Sequence, residues 1–229
     1  RKCKLTEEST KILEEDTIWG REFTETAKIA KMNMIIIGDG HTHITQEDSL
    51  KNPVKGDFDV VMTNFPFSQK TKYFSLYGLN NKDANPAFLK HAIDALKLDD
   101  SGGGRAGVVV PDGVLFDTKT DYVTVRKLLL TTCNLKAVIQ LDTFVFKPYT
   151  GQPTSILIFQ KGNQTEKVWF FDVVDDGFKK TGSKKGRPAI KNNDIPLLRE
   201  IWNDKSTSAH SFSIDFKKSK QPRKQRLYR

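Results

Sequence analysis

Residues 64–67 read Asn-Phe-Pro-Phe and follow a short apolar run, Phe58-Asp59-Val60-Val61-Met62-Thr63. The Asn64 side chain offers a carbonyl acceptor and an NH2 donor. The backbone carbonyl of Phe65 has no ladder partner once a strand has ended. Pro66 removes an N–H and stiffens the chain, and Phe67 presents a flat apolar face. Two carbonyls that converge beside a flat ring can accept both hydrogens of an exocyclic amine while the ring stacks on its base. That arrangement favours a pyramidal nitrogen whose lone pair is free to attack an electrophilic methyl. No side-chain base of shifted pKa is required. On four residues alone a second reading stands beside this one, a strand-terminating turn in which Phe67 plugs the core.

Such a site needs the end of a strand. In open α/β sheets ligands bind beyond the carboxyl ends of the strands, and the pattern along the chain predicts such a sheet. Strand signals fall at 17–19, 42–48, 58–63, 106–110, 135–141, 154–162 and 167–174, with the 58–63 and 106–110 strands expected to be buried. Helical spacing covers 24–37, 122–132 and 194–204, and a further helix opens at Asn85-Pro86 with Asn85 as its cap. Residues 68–85, polar with scattered aromatics, read as a long loop. The connection 142–153 is too short for a helical crossover, so the strands on either side are expected to be antiparallel. The strand at 167–174 is then a candidate hairpin partner of the one before it. The predicted class is a doubly wound, Rossmann-like α/β sheet with a late antiparallel hairpin. It occupies 1–176, and 177–229 forms a basic loop, a short helix and a poorly packed basic tail.

Composition narrows the function. The chain has 229 residues and a formal net charge of +9. That surplus favours polyanionic partners and says nothing about fold. Much of it sits in 178–187 and 217–226, for which a solvated segment and a phosphate-binding surface are both open readings. No apolar run approaches about 18 residues, so no membrane helix is expected. Two isolated cysteines, Cys3 and Cys133, make neither a disulfide framework nor a zinc site, and a reducing cytoplasm is the default. His41 and His43 lack further ligands nearby, so no metal site is expected.

The segment "DVVMTNFPF" resembles the catalytic motif of DNA adenine amino-methyltransferases, usually N-P-P-F or N-P-P-Y. The blocks "WGREFTETAKIAKMNMIIIG", "ITQEDSL", "GGRAGVVVPDGVLF" and "TGQPTSILIFQKG" resemble, in order, the modification subunit of type I restriction-modification systems. The resemblance covers about residues 17–175. It fits the late hairpin, which closes the sheet edge in methyltransferases.

The resemblance implies transfer of a methyl group from S-adenosylmethionine to the N6 amine of adenine in duplex DNA. Asn64 and the carbonyl at Phe65 would bind the amine, Pro66 would stiffen the turn, and Phe67 would stack on the flipped base. Glu22 would bind the cofactor ribose and Asp48 its adenine amine, and Asn64 would be a cofactor contact as well. By themselves Glu22 and Asp48 also read as a helix-start glutamate and a turn residue. Lys70, Lys72 and Tyr73 would face DNA, or would simply belong to a solvated loop. The implied partners are DNA, a specificity subunit that selects the sequence, and a restriction subunit.

Two departures set further expectations. Phe65 stands where the family usually has proline; the role there belongs to a backbone carbonyl, so a looser but competent motif is expected. Residues 1–16 hold no glycine, whereas the family has a Gly-rich cofactor turn before the strand that ends at Glu22. The expectation is a fragment lacking the first strand and the helical N-terminal domain, inactive alone. Two other classes remain. A methyltransferase acting on RNA or protein would share the motif, and a non-catalytic nucleic-acid-binding or assembly module would share the fold.

Overall fold

The computed structural model describes residues 6–38, 43–99, 102–184 and 186–216, apart from the side chains of residues 13, 14 and 99. Its contacts divide the chain into two units, Arg1–Pro53 and Val54–Arg229.

In the smaller unit, α1 (Glu7–Glu15) opens on a capping box in which Thr6 and Ser9 satisfy each other's backbone N–H groups. Strands β1 (Gly20–Glu22) and β2 (Ile44–Gln46) pair in parallel, with Glu22 opposite Gln46. The crossover between them is α2 (Thr26–Ile37), which ends on Gly38 in the left-handed conformation. The first strand starts three residues later than the 17–19 signal suggested. Trp19, which supplied that signal, instead stacks on His43 with ring centroids 3.6 Å apart.

The larger unit runs β3 (Val60–Asn64), a 3-10 turn (Phe74–Tyr77), α3 (Ala84–Ala95), β4 (Leu98–Asp99), β5 (Gly102–Gly103), β6 (Arg105–Pro111), α4 (Gly113–Phe116), α5 (Thr120–Thr132), β7 (Cys133–Leu141), β8 (Thr154–Lys161), β9 (Lys167–Asp172), β10 (Asp176–Phe178), β11 (Ala189–Asn193), α6 (Ile195–Glu200) and β12 (Ser211–Asp215). Six strands form one sheet in the order β12-β9-β7-β8-β6-β3. Strands β3 and β6 are parallel, β8 is antiparallel to both β6 and β7, and β9 is parallel to β7. Buried Val108, Val110, Leu157 and Phe159 join Leu89 and Ile93 of α3 and Val125 and Leu129 of α5 in the core. A second cluster sets Ile139, Trp169, Phe171 and Val173 against Ile195, Leu198 and Trp202 around α6.

The predicted class holds, and the antiparallel β7–β8 pair is present as expected. Several details differ. Strand β3 is not buried: Val60 and Met62, two residues apart on one face, are 46% and 83% exposed, and among the described residues the strand lies at the sheet edge, paired with β6 alone. Strand β9 does not pair with β8. It lies between β7 and β12, which pair with its two edges. Helix α3 begins one residue before Asn85, capped by Asp83, whose Oδ1 accepts the Asn85 N–H at 3.1 Å. Residues 68–85 are far from a free loop: Thr71, Tyr77 and Leu79 are buried. The sheet also continues past 176, because β12 at 211–215 pairs with β9. The basic run at 178–187 lies within a β10–β11 hairpin. His41 and the tail 217–226 lie outside the described residues. No helix among the described residues is long and apolar enough to cross a membrane.

Candidate active site

The register fixes what meets at one edge of the large sheet. Asn64 ends β3 opposite Val109, and Pro111 at the end of β6 lies opposite Thr154 at the start of β8. Leu141, ending β7, faces the same Thr154, and Asp172, ending β9, pairs with Gln140. Segments 64–68, 111–113, 142–153 and 173–176 therefore all emerge at the carboxyl edge.

Asn64 is exposed, and its side chain makes no hydrogen bond with the described residues. Phe65 is 4% exposed. Its ring stacks on Phe88 of α3, centroids 4.9 Å apart and planes within 10°. Among the described residues, no turn or cap hydrogen bond engages its carbonyl. The looser motif expected from the missing proline is thus countered by packing, since the aromatic ring anchors the position that proline would have stiffened. Phe67 is half-buried and meets Phe65 edge-on at 5.8 Å and Phe146 edge-on at 6.2 Å. Ser68 then takes a left-handed conformation, φ 57°, and turns the chain. Its Oγ lies 3.5 Å from Gln152 Oε1.

Phe146 was missed by sequence reasoning. It belongs to the 142–153 connection, and the available signal was that this short link had to return at the same edge as Asn64. Asp142 Oδ1 accepts the Phe144 N–H at 2.7 Å and Thr150 Oγ1 that of Gln152 at 3.1 Å, which shapes the link. Behind it, buried Asp112 accepts from Ser155 Oγ at 2.8 Å and Gln140 Nε2 at 3.2 Å, tying β6, β7 and β8 together. Burial pushes the Asp112 carboxyl above its ordinary range, and the Ser155 hydrogen bond opposes that shift.

Lys70 and Lys72 are exposed, and Lys72 Nζ lies 5.3 Å from the centroid of the Tyr73 ring. Their segment is held from both sides. The backbone at Lys70 forms an isolated antiparallel β-bridge with that at Asp83, and Asp121 at the start of α5 accepts the Asn80 and Asn81 backbone N–H groups at 3.1 and 2.8 Å. Burial drives the Asp121 pKa up, but the donors from Asn80 and Asn81 outweigh it and hold the carboxylate below its ordinary range.

In the smaller unit, Glu22 ends β1 and Asp48 follows β2 by two residues, both at the carboxyl edge of the parallel pair. Glu22 Oε1 accepts the Thr24 hydroxyl at 2.6 Å and its N–H at 2.8 Å. These bonds, the hydroxyl's first, hold its pKa below the glutamate range. Asp48 Oδ1 accepts the Leu50 N–H at 3.0 Å, so one oxygen shapes a turn. The second oxygen of each carboxylate has no hydrogen-bond partner among the described residues. A carboxylate with one pinned and one open oxygen suits the hydroxyls and amine of a nucleoside.

Comparison with known proteins accounts for this arrangement. The model of the N-6 DNA methylase family matches residues 2–221. The type I restriction enzyme EcoEI methylase subunit of Escherichia coli is 34% identical over 163 residues, 67% of this chain and 32% of that protein. A modification subunit of a putative type I restriction enzyme from Vibrio vulnificus superposes with a TM-score of 0.77 at 25% identity, covering 93% of this chain and 46% of that one. A chain solved in work on complex assembly and conformational transition of the type I R-M system gives 0.79 at 25% identity, covering 95% and 47%. The chain therefore spans about a third of the EcoEI subunit and just under half of the two solved chains. With a motif of this kind at the carboxyl edge of a sheet of this topology, and a family match over nearly its whole length, the chain belongs to the N-6 DNA methylase family.

Proposed function

We propose that the complete protein is a DNA adenine-N6 methyltransferase that uses S-adenosylmethionine and works as the modification subunit of a type I restriction-modification complex. The carrying observation is the state of Asn64: a strand-end amide, exposed and with no hydrogen-bond partner among the described residues, followed by a packed Phe65 and a half-buried Phe67. When bound, S-adenosylmethionine supplies an electrophilic methyl on a sulfonium sulfur. Glu22 and Asp48 are the residues that fit its ribose hydroxyls and adenine amine, each through the open carboxylate oxygen. At the other site, Asn64 Oδ1 and the Phe65 carbonyl accept the two hydrogens of the target amine, which directs its lone pair away from them. The Phe67 ring stacks on the flipped base, and Phe146 closes the space beside it. Lys70, Lys72 and Tyr73 face the DNA backbone near the motif.

The proposed partners are DNA, a specificity subunit that selects the sequence and a restriction subunit, and the proposed place is the cytoplasm. Buried, unpaired Cys133 suits a reducing compartment. The test uses the complete polypeptide assembled with its other subunits. Labelled methyl should pass to adenine-N6 in duplex DNA, and Asn64→Ala should abolish transfer while leaving cofactor affinity within about twofold. Cofactor binding with no transfer to DNA by the wild type would favour a non-catalytic assembly module.

A further inference from the structure

The hairpin β10–β11 is the most basic part of the described chain. Between residues 177 and 193 there are six lysines and arginines (Lys179, Lys180, Lys184, Lys185, Arg187 and Lys191) and no aspartate or glutamate. Two of the six are committed to structure. Arg187 forms a two-point pair with Asp176 and also donates through Nε to the Lys179 carbonyl, at 3.1 Å, which closes the base of the hairpin. Lys180 Nζ lies 3.0 Å from Asp142 and 3.5 Å from Asp175. Lys179, Lys184 and Lys191 are exposed and have no carboxylate partner among the described residues.

The position of this charge matters as much as its amount. Strand β9 ends at the carboxyl edge, so the hairpin starts at the edge that carries Asn64. The Lys180–Asp142 pair fastens it to the first residue of the 142–153 link, and a Cβ built on Gly182 would lie 4.0 Å from Lys147 Cδ. The same link carries Phe146 against Phe67. One continuous ledge thus runs from the Asn-Phe-Pro-Phe motif through 142–153 to the hairpin. Midway along it, Tyr149 is 93% exposed.

We propose that this hairpin is a phosphate-contacting arm, with Lys179, Lys184 and Lys191 gripping the backbone of the duplex whose adenine enters at Asn64. The inference rests on the methyltransferase reading and deepens it. The arm carries no base-reading role, since a lysine is a point charge to phosphate. Arg187 and Lys180 are positioning residues that hold the arm in place.

The experiment uses the complete protein with its partner subunits and the triple variant Lys179→Gln, Lys184→Gln, Lys191→Gln, which leaves the Arg187–Asp176 and Lys180–Asp142 pairs intact. Affinity is measured against salt for a duplex carrying the recognition site and for a random duplex of equal length. Both affinities should fall together by about tenfold, and the slope of log affinity against log salt should fall by about 2–3, near 0.9 per lost phosphate contact. The turnover number at saturating DNA and cofactor affinity should not change. An unchanged slope overturns the proposal, and so does a variant that binds DNA normally but fails to assemble with its subunits, because the arm then serves a protein. A wild type that binds no duplex also overturns it. A wild type that binds duplex without methylating it refutes the enzymatic reading alone, and the slope still reports on the arm.

Discussion

Phe65 lies flat on Phe88, centroids 4.9 Å apart, and this contact joins the Asn64–Phe67 segment to helix α3. The motif's backbone is thereby held by a side chain from a different element. Phe88→Ala should cost about 2 kcal/mol, less than the 3–5 of a fully buried phenylalanine because Phe88 is half-exposed. Phe65→Pro should keep methyl transfer within about tenfold, since the role belongs to a carbonyl. In a double-mutant cycle by urea melting the two positions should couple by about 0.5–1.5 kcal/mol. Strict additivity would show that the stack does not anchor the motif.

Glu22 gives a pH prediction. Its pKa in the folded protein is held below the ordinary range by Thr24, so its contribution is present above that range and is lost as pH falls through the lowered value. Cofactor affinity of the wild type should therefore stay level from pH 8 down to the ordinary glutamate range. Thr24→Val removes the hydroxyl donor and keeps the N–H, so the carboxyl pKa rises and affinity should begin to fall at a higher pH. Calorimetric titration of S-adenosylmethionine across that window distinguishes the two curves, and superimposable profiles would remove Glu22 from the cofactor site.

Ser68 holds a left-handed backbone directly after the motif. An L residue there costs about 1–2 kcal/mol, and glycine's extra freedom in the unfolded chain returns roughly half of that. Ser68→Gly should accordingly stabilise by up to about 1 kcal/mol. Ser68→Val, β-branched at the same φ, should destabilise by about 1–3 kcal/mol and reduce transfer. Thermal melts of the two variants read opposite signs if the turn is rigid.

Asp121 restrains the segment that carries Lys70, Lys72 and Tyr73. It is 3% exposed and accepts from both Asn80 and Asn81. Asp121→Ala strips two backbone N–H groups of their acceptor and should cost about 2 kcal/mol. Limited proteolysis should then cut within 68–85 before the rest of the domain. Uniform loss of resistance across the chain would assign Asp121 to global stability instead.

The strands and helices that run on local pattern were legible in the sequence. The apolar runs at 106–110, 135–141 and 154–162 became β6, β7 and β8, and the short link 142–153 forced the antiparallel turn. Facts that depend on distant partners were not legible. Strand β12 carries the polar alternation Ser211-Phe212-Ser213-Ile214-Asp215, and only its pairing with β9 makes it a strand. Asp83 outcompeted Asn85 as the cap of α3 because Asn85 is drawn into the interior by the Tyr122 hydroxyl, 3.1 Å away. The Asn64–Phe67 quartet could be read because its chemistry lies within four consecutive residues. Phe146 and Phe88, about 80 and 24 residues along the chain, could not.

The Asn64 amide is exposed and has no hydrogen-bond partner among the described residues, which leaves it open to the target amine in the proposed reaction. The direct measurement is single-turnover methyl transfer to adenine-N6 by the assembled complex carrying Asn64→Ala, with S-adenosylmethionine affinity measured on the same preparation. Transfer should drop by at least about a thousandfold at near wild-type cofactor affinity, as expected for loss of an interaction made in the transition state. Transfer at the wild-type rate would mean that the amine is held elsewhere, and the site described here would not be the active site.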